Sequence, residues 1–592
     1  MHSFFGSGLL VVAVTGVVAG VRALLLACGE SRGSVAAAST MAVVAALPLS
    51  LQGLTGIVGA VVVLGFAGAV LSRTVAPIPT TTSPPPWSRA ARWIALVLFA
   101  LLAVVALGTF LWDEASTHLP LAGAVSRNLV PLEHPLFPGQ PLRYHAGFDV
   151  VVGVVRAFTL LPLDLCVDIV TLAGIALVLW SIHDLAAVLA PGAGSLAMPV
   201  VLLCGGPVAA VLADGWGIAL PAQGLFPAAW VNGATFPPLV VTNVFQHPQG
   251  LAMPIAGAAL LVASVPTFRR FAAAALLILL CSRVQIVFAA VTGIAVVVLA
   301  LRARALPSLL VLVVVGLLCL LDSRFTTGAT GQLVWGGAFA NDGAAALVRL
   351  PLIFGLSLGA PVFGWRMWRR RSAPPGLLLA LSLAGTLGFV VGNVCSYARS
   401  WDIVKLFGVS AFFAHFLLAA WLAQTRRAIV VVVVVVSCWS GALWLVRHGI
   451  GNGVIARAYR EHGQGDDVAA FADELAPFLP AASRVFSPDL TLARSGVVVP
   501  GTDWRASRDT AALLLDRPKT EALTRAWRRA LRDLDAEALL ALHADFVVVR
   551  AGSPLLALLA DTTRFTAVRP ARADDDGREQ KATWLLFAVN KP

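Results

Sequence analysis

The stretch WDEASTHLPLAGAVSRNLVPLEHPLFPGQPLRYHAGFD, residues 112–149, departs sharply from the sequence around it. It follows an apolar run at 93–111, which is long enough to cross a bilayer because a spanning helix needs about 20 residues. Nine ionisable side chains lie within it, whereas the apolar runs on either side carry few charges. Ionisable groups are costly beside hydrocarbon, so such a cluster at a helix end is a hypothesis for a functional site.

The composition of the whole chain is that of an integral membrane protein. Of its 592 residues, 58% are hydrophobic and only 12% are charged, and the mean hydropathy is +0.85. A soluble globular domain has about 25% charged residues. The apolar runs are continuous rather than alternating, which predicts spanning helices and not the strands of a barrel. We therefore predict an all-α polytopic membrane protein.

The net charge of +12 does not indicate a nucleic-acid partner. The arginines are spread among short loops, as the positive-inside rule expects, and they form no single patch. The seven cysteines lie in or beside apolar runs without paired spacing, so we expect buried side chains rather than disulfides or a zinc site. The N-terminus does not resemble a cleavable signal, which predicts that the first apolar run is a retained span.

Four regions follow from the order of the apolar runs. Residues 1–72 contain three predicted helices, at about 4–28, 34–51 and 54–72, and residues 73–90 form a Pro/Thr-rich linker. Residues 91–450 form the main membrane region, with a loop at 113–165 that we predict to be on the outer face. Residues 451–592 form a separate C-terminal domain.

The main membrane region is predicted to contain a span at 93–112 and ten more, giving about fourteen in the chain. The ten fall near 166–189, 196–213, 249–268, 271–283, 285–301, 306–321, 345–365, 375–394, 404–423 and 428–446. Residues 144–164 are apolar but interrupted, and we interpret them as an interfacial helix lying along the membrane.

Arginines in alternate loops predict the orientation of these spans. They cluster at 269–270, 302–304, 366–371 and 426–427. All four clusters fall on one side if residues 144–164 do not cross, and that side is then the cytoplasm. The loops at 113–165, 214–248, 322–344 and 395–403, with both termini, then face outward.

The C-terminal domain is predicted to be a small extracytoplasmic α/β domain. Helices are expected at 466–478 and 520–542, and strands at 484–486, 545–550 and 583–589. Alternating helices and strands favour this class. The domain carries no evident catalytic motif, so we expect it to support the membrane part or to help recognise an acceptor.

The first candidate for chemistry is the pair Asp113 and Glu114. A carboxylate held near low-dielectric surroundings keeps a raised proton affinity, which suits a general base. The alternative is a solvated helix end. Side chains in the same loop that we predict to orient a sugar through hydrogen bonds are His118, His134, Arg143, Tyr144, His145 and Asp149.

Three later segments carry further candidates. Gln246 and His247, in NVFQHPQ at 243–249, are predicted to line a cavity at the start of a span, or simply to cap it. Arg283 is costly among apolar neighbours unless it is paired or near water, so it faces a phosphate or marks a helix boundary.

The third segment, YARSWDIVK at 397–405, carries Arg399, Asp402 and Lys405 at a predicted outer helix start. Arginine and lysine there suit a lipid-linked phosphate, through charge-assisted hydrogen bonds. The alternative for Lys405 is snorkelling to the lipid head groups. The chain has no G-x-x-x-x-G-K-[ST], H-E-x-x-H or G-x-S-x-G motif, which argues against an ATP-driven pump or a zincin.

Several of these segments together resemble the glycosyltransferase C (GT-C) superfamily. A span ending in W-D-E, with a histidine four residues after the glutamate, is similar to the first outer loop of that family. PLFPGQPLRYHAGFD (135–149), QHPQGLAMP (246–254) and RSWDIVK (399–405) are similar to segments of its bacterial membrane members. The resemblance covers most of residues 90–592.

The resemblance implies an outward catalytic cavity and a sugar donor carried on a polyprenyl phosphate. It implies that Asp113 is the base, with Glu114 the next choice, and that Arg399 and Lys405, with Arg283, hold the departing phosphate. His134, Tyr144, His145 and His247 would then contact the sugar or the acceptor, an envelope glycan, lipid or protein. The loop lacks a D-x-D pair, so no cofactor is required by the pattern, and a divalent cation (Mg²⁺ or Mn²⁺) on Asp113 and Glu114 stays open.

Two other classes of protein stay open at this point. A transporter or flippase of lipid-linked glycans would be expected to carry polar or broken helices at mid-membrane and inverted repeats. A non-catalytic membrane scaffold would use the outer domain to bind glycan. The gathering of ionisable residues in the predicted outer loops favours an enzyme of the plasma membrane. The composition is rich in Ala, Val, Arg and Gly, which is typical of a GC-rich bacterium and favours an envelope acceptor.

Overall fold

The computed structural model describes much of the membrane region and part of the C-terminal domain. The described residues are 18–50, 87–108, 118–126, 132–134, 137–141, 145–161, 163–205, 244, 247–321, 333–335, 366–367, 369, 374–397, 405–439, 441–442, 445–446, 478, 485–486, 525–526, 529–530, 532–541, 545–550, 552–569 and 584–590.

The described membrane region is a bundle of apolar helices. In chain order they are α1 (Val18–Ala27), α2 (Gly33–Ser50), α3 (Arg89–Gly108), α4 (Leu119–Ser126), α5 (Gly147–Thr159), α6 (Leu163–Leu189), α7 (Ala193–Leu203), α8 (His247–Ala263), α9 (Phe268–Val284), α10 (Ile286–Arg302), α11 (Leu306–Leu321), α12 (Pro375–Val394), α13 (Lys405–Leu422) and α14 (Arg427–Trp439). Four of these, α3, α6, α12 and α13, are long and apolar enough to cross a membrane. The chain is therefore a helical protein of membrane character.

Helix α9 defines the two ends of the bundle. Near its start, Arg270 is paired with Glu30, and near its C-terminal end the Arg283 carbonyl packs against Gly147. At a rise of 1.5 Å per residue, these two arginines are about 20 Å apart along the axis. We call the end with Glu30 and Arg270 the arginine end, and the end with Gly147 and Arg283 the histidine end.

Close helix contacts assign the other helices to these ends. An ideal Cβ on Gly174 would lie 3.8 Å from the Gly250 carbonyl, and one on Gly257 would lie 2.1 Å from the Ser181 hydroxyl oxygen. From the first contact to the second, the residue number rises by seven on both helices, so α6 and α8 run parallel. Both begin at the histidine end, because α8 and α9 are consecutive and joined at the arginine end.

Helices α12 and α13 are antiparallel. Gly385 packs on Ala414 and Gly392 packs on Phe407, so the pairing shifts in opposite directions along the two helices. The start of α12 lies beside Arg302, which is at the arginine end because α10 follows α9 through a tight turn at Gln285. Lys405, the first residue of α13, is therefore at the histidine end.

A buried polar network closes the arginine end. Arg270 donates to the carbonyl oxygens of Cys28 (2.9 Å) and Gly29 (2.7 Å) and pairs with Glu30 (3.0 Å), which also pairs with Arg32 (2.8 Å). A buried polar group is stable when it is paired and hydrogen-bonded in this way. The network ties the turn between α1 and α2 to the start of α9.

A second network ties α2 and α3 to α6 at the same end. The Ser34 hydroxyl donates to Asp184, and His183 Nδ1 lies 3.2 Å from the same carboxylate. The Trp87 ring stacks on His183 with centroids 4.3 Å apart. These contacts fix the direction of α3, which starts at the arginine end and runs toward the histidine end.

Each predicted span that falls on described residues overlaps a described helix, although boundaries differ; the helix predicted at 249–268, for example, ends at Ala263. The spans predicted at 54–72 and 345–365, and the linker predicted at 73–90 up to residue 86, lie outside the described residues. The span predicted at 196–213 is wrong in its extent, because α7 ends at Leu203 and Cys204 is extended (φ −72°, ψ 118°). Residues 206–213 of this predicted span lie outside the described residues. The helix predicted at 144–164 is shorter, since α5 ends at Thr159 and Leu160 is left-handed (φ 58°) before Pro162.

Short strands occur among the described loops. β1 (Glu133–His134) pairs antiparallel with β2 (Phe137–Pro141), and β3 (Leu333–Trp335) pairs antiparallel with β4 (Cys395–Tyr397). β4 follows α12 at the histidine end. The β3–β4 pair agrees with the prediction that loops 322–344 and 395–403 lie on one side, although the sequence did not indicate strands there.

The C-terminal domain contains a four-stranded mixed sheet in the order β5-β6-β8-β7. The strands are β5 (Val485–Phe486), β6 (Phe546–Arg550), β7 (Phe565–Arg569) and β8 (Trp584–Val589), with helices α15 (Ala536–Leu540) and α16 (Leu556–Leu559). Three of these strands were predicted and β7 was missed. Leu539, Val547, Leu559 and Phe565 form a buried core. The helix predicted at 466–478 lies outside the described residues except for Phe478.

Candidate functional site

The centre of the histidine end is a buried histidine–carboxylate pair. His118 Nδ1 lies 2.7 Å from Asp149 Oδ1, and their side chains are 7% and 1% exposed. Phe148 packs edge-on against the His118 ring, with centroids 6.2 Å apart. An ionised carboxylate only accepts hydrogen bonds, so the His118 ring donates to it through Nδ1.

Glycines hold Asp149 in this position. An ideal Cβ on Gly147 would fall 2.8 Å from the Arg283 carbonyl oxygen, and one on Gly153 would fall 2.6 Å from the Ala122 carbonyl oxygen. Helix α5 therefore lies in backbone contact with α9 at its start and with α4 at its middle. Asp149, in the first turn of α5, also gains from the positive end of the helix dipole.

His145 and Lys405 belong to the same neighbourhood. Burial lowers the pKa of His145 well below its ordinary value, and the positive charges of Lys405 and His118 lower it further. His145 is therefore neutral at physiological pH and able to accept a hydrogen bond. Lys405 and Arg283 are both partly buried, and each has an interaction partner in the structure.

The structure thus places five of the residues singled out in the sequence at the histidine end, namely His118, His145, Asp149, Arg283 and Lys405. The neutral imidazole of His145, the His118–Asp149 pair and two cations at one end of a helical bundle offer hydrogen bonds to hydroxyl groups and positive charge to an anion. The described residues contain no group of three or more His, Cys, Asp or Glu side chains that would hold a metal ion.

The remaining candidates are not positioned by the described residues. His134 lies in β1 and His247 begins α8, but the described part of the structure does not extend to their side chains. The candidates that lie wholly outside the described residues are Asp113, Glu114, Arg143, Tyr144, Gln246, Arg399 and Asp402. Their predicted roles stay predictions.

The buried polar groups of the arginine end, Glu30, His183 and Asp184, were not predicted from the sequence. Asp184 and His183 stand inside the run predicted as a span at 166–189, where a charged residue is a signal by itself. Glu30 was missed because it stands in a short loop, although it is the only acidic residue of the sequence before Asp113.

Known proteins offer no assignment for this arrangement. No protein-family model matches the chain, and no curated protein matches it.

Proposed function

We propose that this protein is a membrane glycosyltransferase that takes a sugar from a polyprenyl-phosphate donor. The acceptor is a hydroxyl group of an envelope glycan, lipid or protein at the histidine end. The observation that carries the proposal is the gathering there of Lys405, Arg283, His145 and the His118–Asp149 pair. Cations beside neutral hydrogen-bonding groups fit a phosphate beside a sugar.

The reaction is a displacement at the anomeric carbon. Asp113, the fifth residue after the last residue of α3, takes the proton of the acceptor hydroxyl as its oxygen bonds to that carbon, and Glu114 is the next candidate. The bond from the carbon to the phosphate oxygen breaks, and the polyprenyl phosphate leaves with the electron pair. Lys405, with Arg283 and Arg399, offsets the charge that grows on the phosphate.

The buried pair of His118 and Asp149 positions a hydroxyl in this scheme. Asp149 fixes the orientation and tautomer of the imidazole, as carboxylates do for histidines in other active sites. The neutral ring of His145 supplies a hydrogen-bond acceptor. Fixed groups of this kind act best when their own rotamers are locked by packing, which α5 receives from Gly147 and Gly153.

The orientation that we propose places the histidine end outside the cytoplasm. Arg32, Arg270, Arg302, Arg426 and Arg427 stand at or next to the arginine end, which the positive-inside rule assigns to the cytoplasm. We infer a multi-pass protein of the plasma membrane with about fourteen spans, a GT-C-like arrangement and an extracytoplasmic C-terminal domain.

The test is transfer of radiolabelled sugar from polyprenyl-phosphate donors in membranes that contain the wild type, Asp113→Asn or Glu114→Gln. We expect transfer by the wild type and a loss of at least a hundredfold in Asp113→Asn, the scale of general base catalysis. Normal transfer by both variants would remove the loop from the chemistry. No transfer by the wild type with any donor would favour a flippase or a scaffold.

A further inference from the structure

A large cavity lies at the arginine end, remote from the candidate site. Its volume is about 800 Å³, and it is lined by one face each of α1, α2 and α6. The lining extends along α2 from Gly33 to Met41, which is about 12 Å of helix. It opens sideways, since Val18, Leu26 and Trp180 on its wall are 45%, 41% and 37% exposed.

The chemistry of the wall changes along this length. At the arginine end the wall carries Arg22, Arg32 and Glu30. Trp180 follows, packed against Gly33 at the start of α2, so that it stands at the level where tryptophans mark a membrane interface. Deeper in, the wall is formed by Ala37, Met41 and Ala173 and is apolar.

The charge around the opening is positive. Arg32 and Arg270 share Glu30, while Arg269 is exposed next to Arg270. Arg22 is exposed and makes no ion pair with the residues that the structure describes. Among the described residues near the opening, four arginines therefore stand against one glutamate. The carboxylate of Asp184 is engaged by Ser34 and His183 instead.

A rigid turn presents this charge. Helix α1 ends at Ala27 and is followed by Gly29 (φ 73°), with Glu30 N donating to Leu25 O (2.8 Å) and Gly29 N donating to Leu26 O (2.9 Å). This pair of bonds is a Schellman motif, which needs a left-handed residue and favours glycine. Arg270 of α9 donates to the Gly29 carbonyl oxygen and pairs with Glu30, which in turn pairs with Arg32. These contacts hold Glu30 and Arg32 in place.

We propose that this cavity binds an anionic phospholipid, with the phosphate at Arg22 and Arg32 and the upper acyl chains against Ala37, Met41 and Ala173. The cavity has arginines at its opening, a tryptophan next and apolar residues deeper in. A lipid has its head group, glycerol and acyl chains in the same order. Basic pockets between helices at the cytoplasmic face bind such head groups. The volume, in the range of small-ligand sites, suits part of a diacyl lipid rather than a long polyprenyl chain.

The proposal is tested by lipid binding to the purified full-length chain in detergent, measured by native mass spectrometry. The probes are phosphatidylglycerol and phosphatidylcholine with the same acyl chains. We expect tighter binding of phosphatidylglycerol by the wild type. Arg22→Gln should weaken phosphatidylglycerol about fivefold, the effect of one surface arginine, and leave phosphatidylcholine unchanged. Arg427→Gln, an exposed arginine at the same end, is the matched control.

The apolar part of the site has its own variant. Ala176 is exposed on the cavity wall, so Ala176→Phe fills the cavity without disturbing the core. We expect it to abolish the tight phosphatidylglycerol site, whereas Val313→Phe on the exposed face of α11 should not. Equal binding of the two lipids, an equal effect of Arg427→Gln, or retained binding in Ala176→Phe would overturn the proposal. Displacement of phosphatidylglycerol by stoichiometric polyprenyl phosphate would overturn it too, by assigning the cavity to that lipid.

Discussion

His118 Nδ1 and Asp149 Oδ1 are 2.7 Å apart although 31 residues separate them in the sequence. The contact joins the segment that follows α3 to the first turn of α5, and both side chains are almost fully buried. A hydrogen bond to a charged group is worth about 1.5–3 kcal/mol, and more is lost when a buried partner is left unsatisfied. The pair therefore holds the site together as well as taking part in it.

The first prediction concerns this pair. Asp149→Asn and His118→Gln should each lower sugar transfer at least tenfold, because either change misorients the imidazole. Since the two residues act as one unit, the double variant should lose no more than the worse single variant. The measurement is the transfer rate of all four proteins at equal amounts of folded protein. Losses that multiply in the double variant would show that the two residues act separately.

The second prediction concerns the packing of α5. Gly147→Ala places a methyl group 2.8 Å from the Arg283 carbonyl oxygen, and the backbone has to shift. Overpacking of this kind costs about 1–3 kcal/mol, so we expect a lower unfolding temperature in detergent and weaker transfer. Gly316→Ala is the control, because an added Cβ there meets nothing within 4 Å. Equal behaviour of the two variants would show that α5 is not held by this contact.

The third prediction concerns the arginine end. Glu30→Gln leaves the buried charge of Arg270 without its carboxylate, and breaking a buried ion pair costs about 3–5 kcal/mol. Glu537→Gln breaks the exposed pair with Arg564 in the C-terminal domain and should cost less than about 1 kcal/mol. Thermal unfolding followed by scanning fluorimetry compares them. A Glu30→Gln protein as stable as the wild type would contradict the description of this network.

The fourth prediction concerns pH. The folded pKa of His145 is lowered, so below the unfolded value of about 6.5 the unfolded chain binds a proton that the folded chain does not. Stability contributed by the neutral ring is present above pH 6.5 and falls as the pH drops, by at most about 1.4 kcal/mol per pH unit. His145→Gln should flatten this part of the unfolding curve between pH 7.5 and 5.5. An unchanged slope would mean that His145 titrates alike in both states.

The helices were predictable because long apolar runs bounded by arginines leave few alternatives. α12 was predicted at its described bounds, and the break between α9 and α10 lies at Gln285, one residue after the break predicted at position 284. The end of α7 was missed because the apolar run continues past Leu203, where the described helix ends.

The site was only partly predictable, for a different reason. Charge among apolar residues pointed to His118, Asp149, Arg283 and Lys405, but no spacing in the sequence says that His118 pairs with Asp149 rather than with another carboxylate. That pairing depends on α4 and α5 meeting at Gly153, a tertiary contact. The networks of Glu30 and Asp184 depend likewise on contacts between residues more than 100 positions apart.

The central claim, that the histidine end receives the phosphate of a sugar donor, is tested most directly at Lys405. Sugar transfer from a polyprenyl-phosphate donor is measured against donor concentration for the wild type, Lys405→Met and Lys405→Arg, with Arg427→Met as a control at the other end. Loss of one charge-assisted contact of about 1.5–3 kcal/mol predicts a 10- to 100-fold fall in kcat/KM for Lys405→Met. Lys405→Arg should recover part of it, and Arg427→Met should match the wild type. Unchanged kcat/KM in a folded Lys405→Met protein would contradict the account.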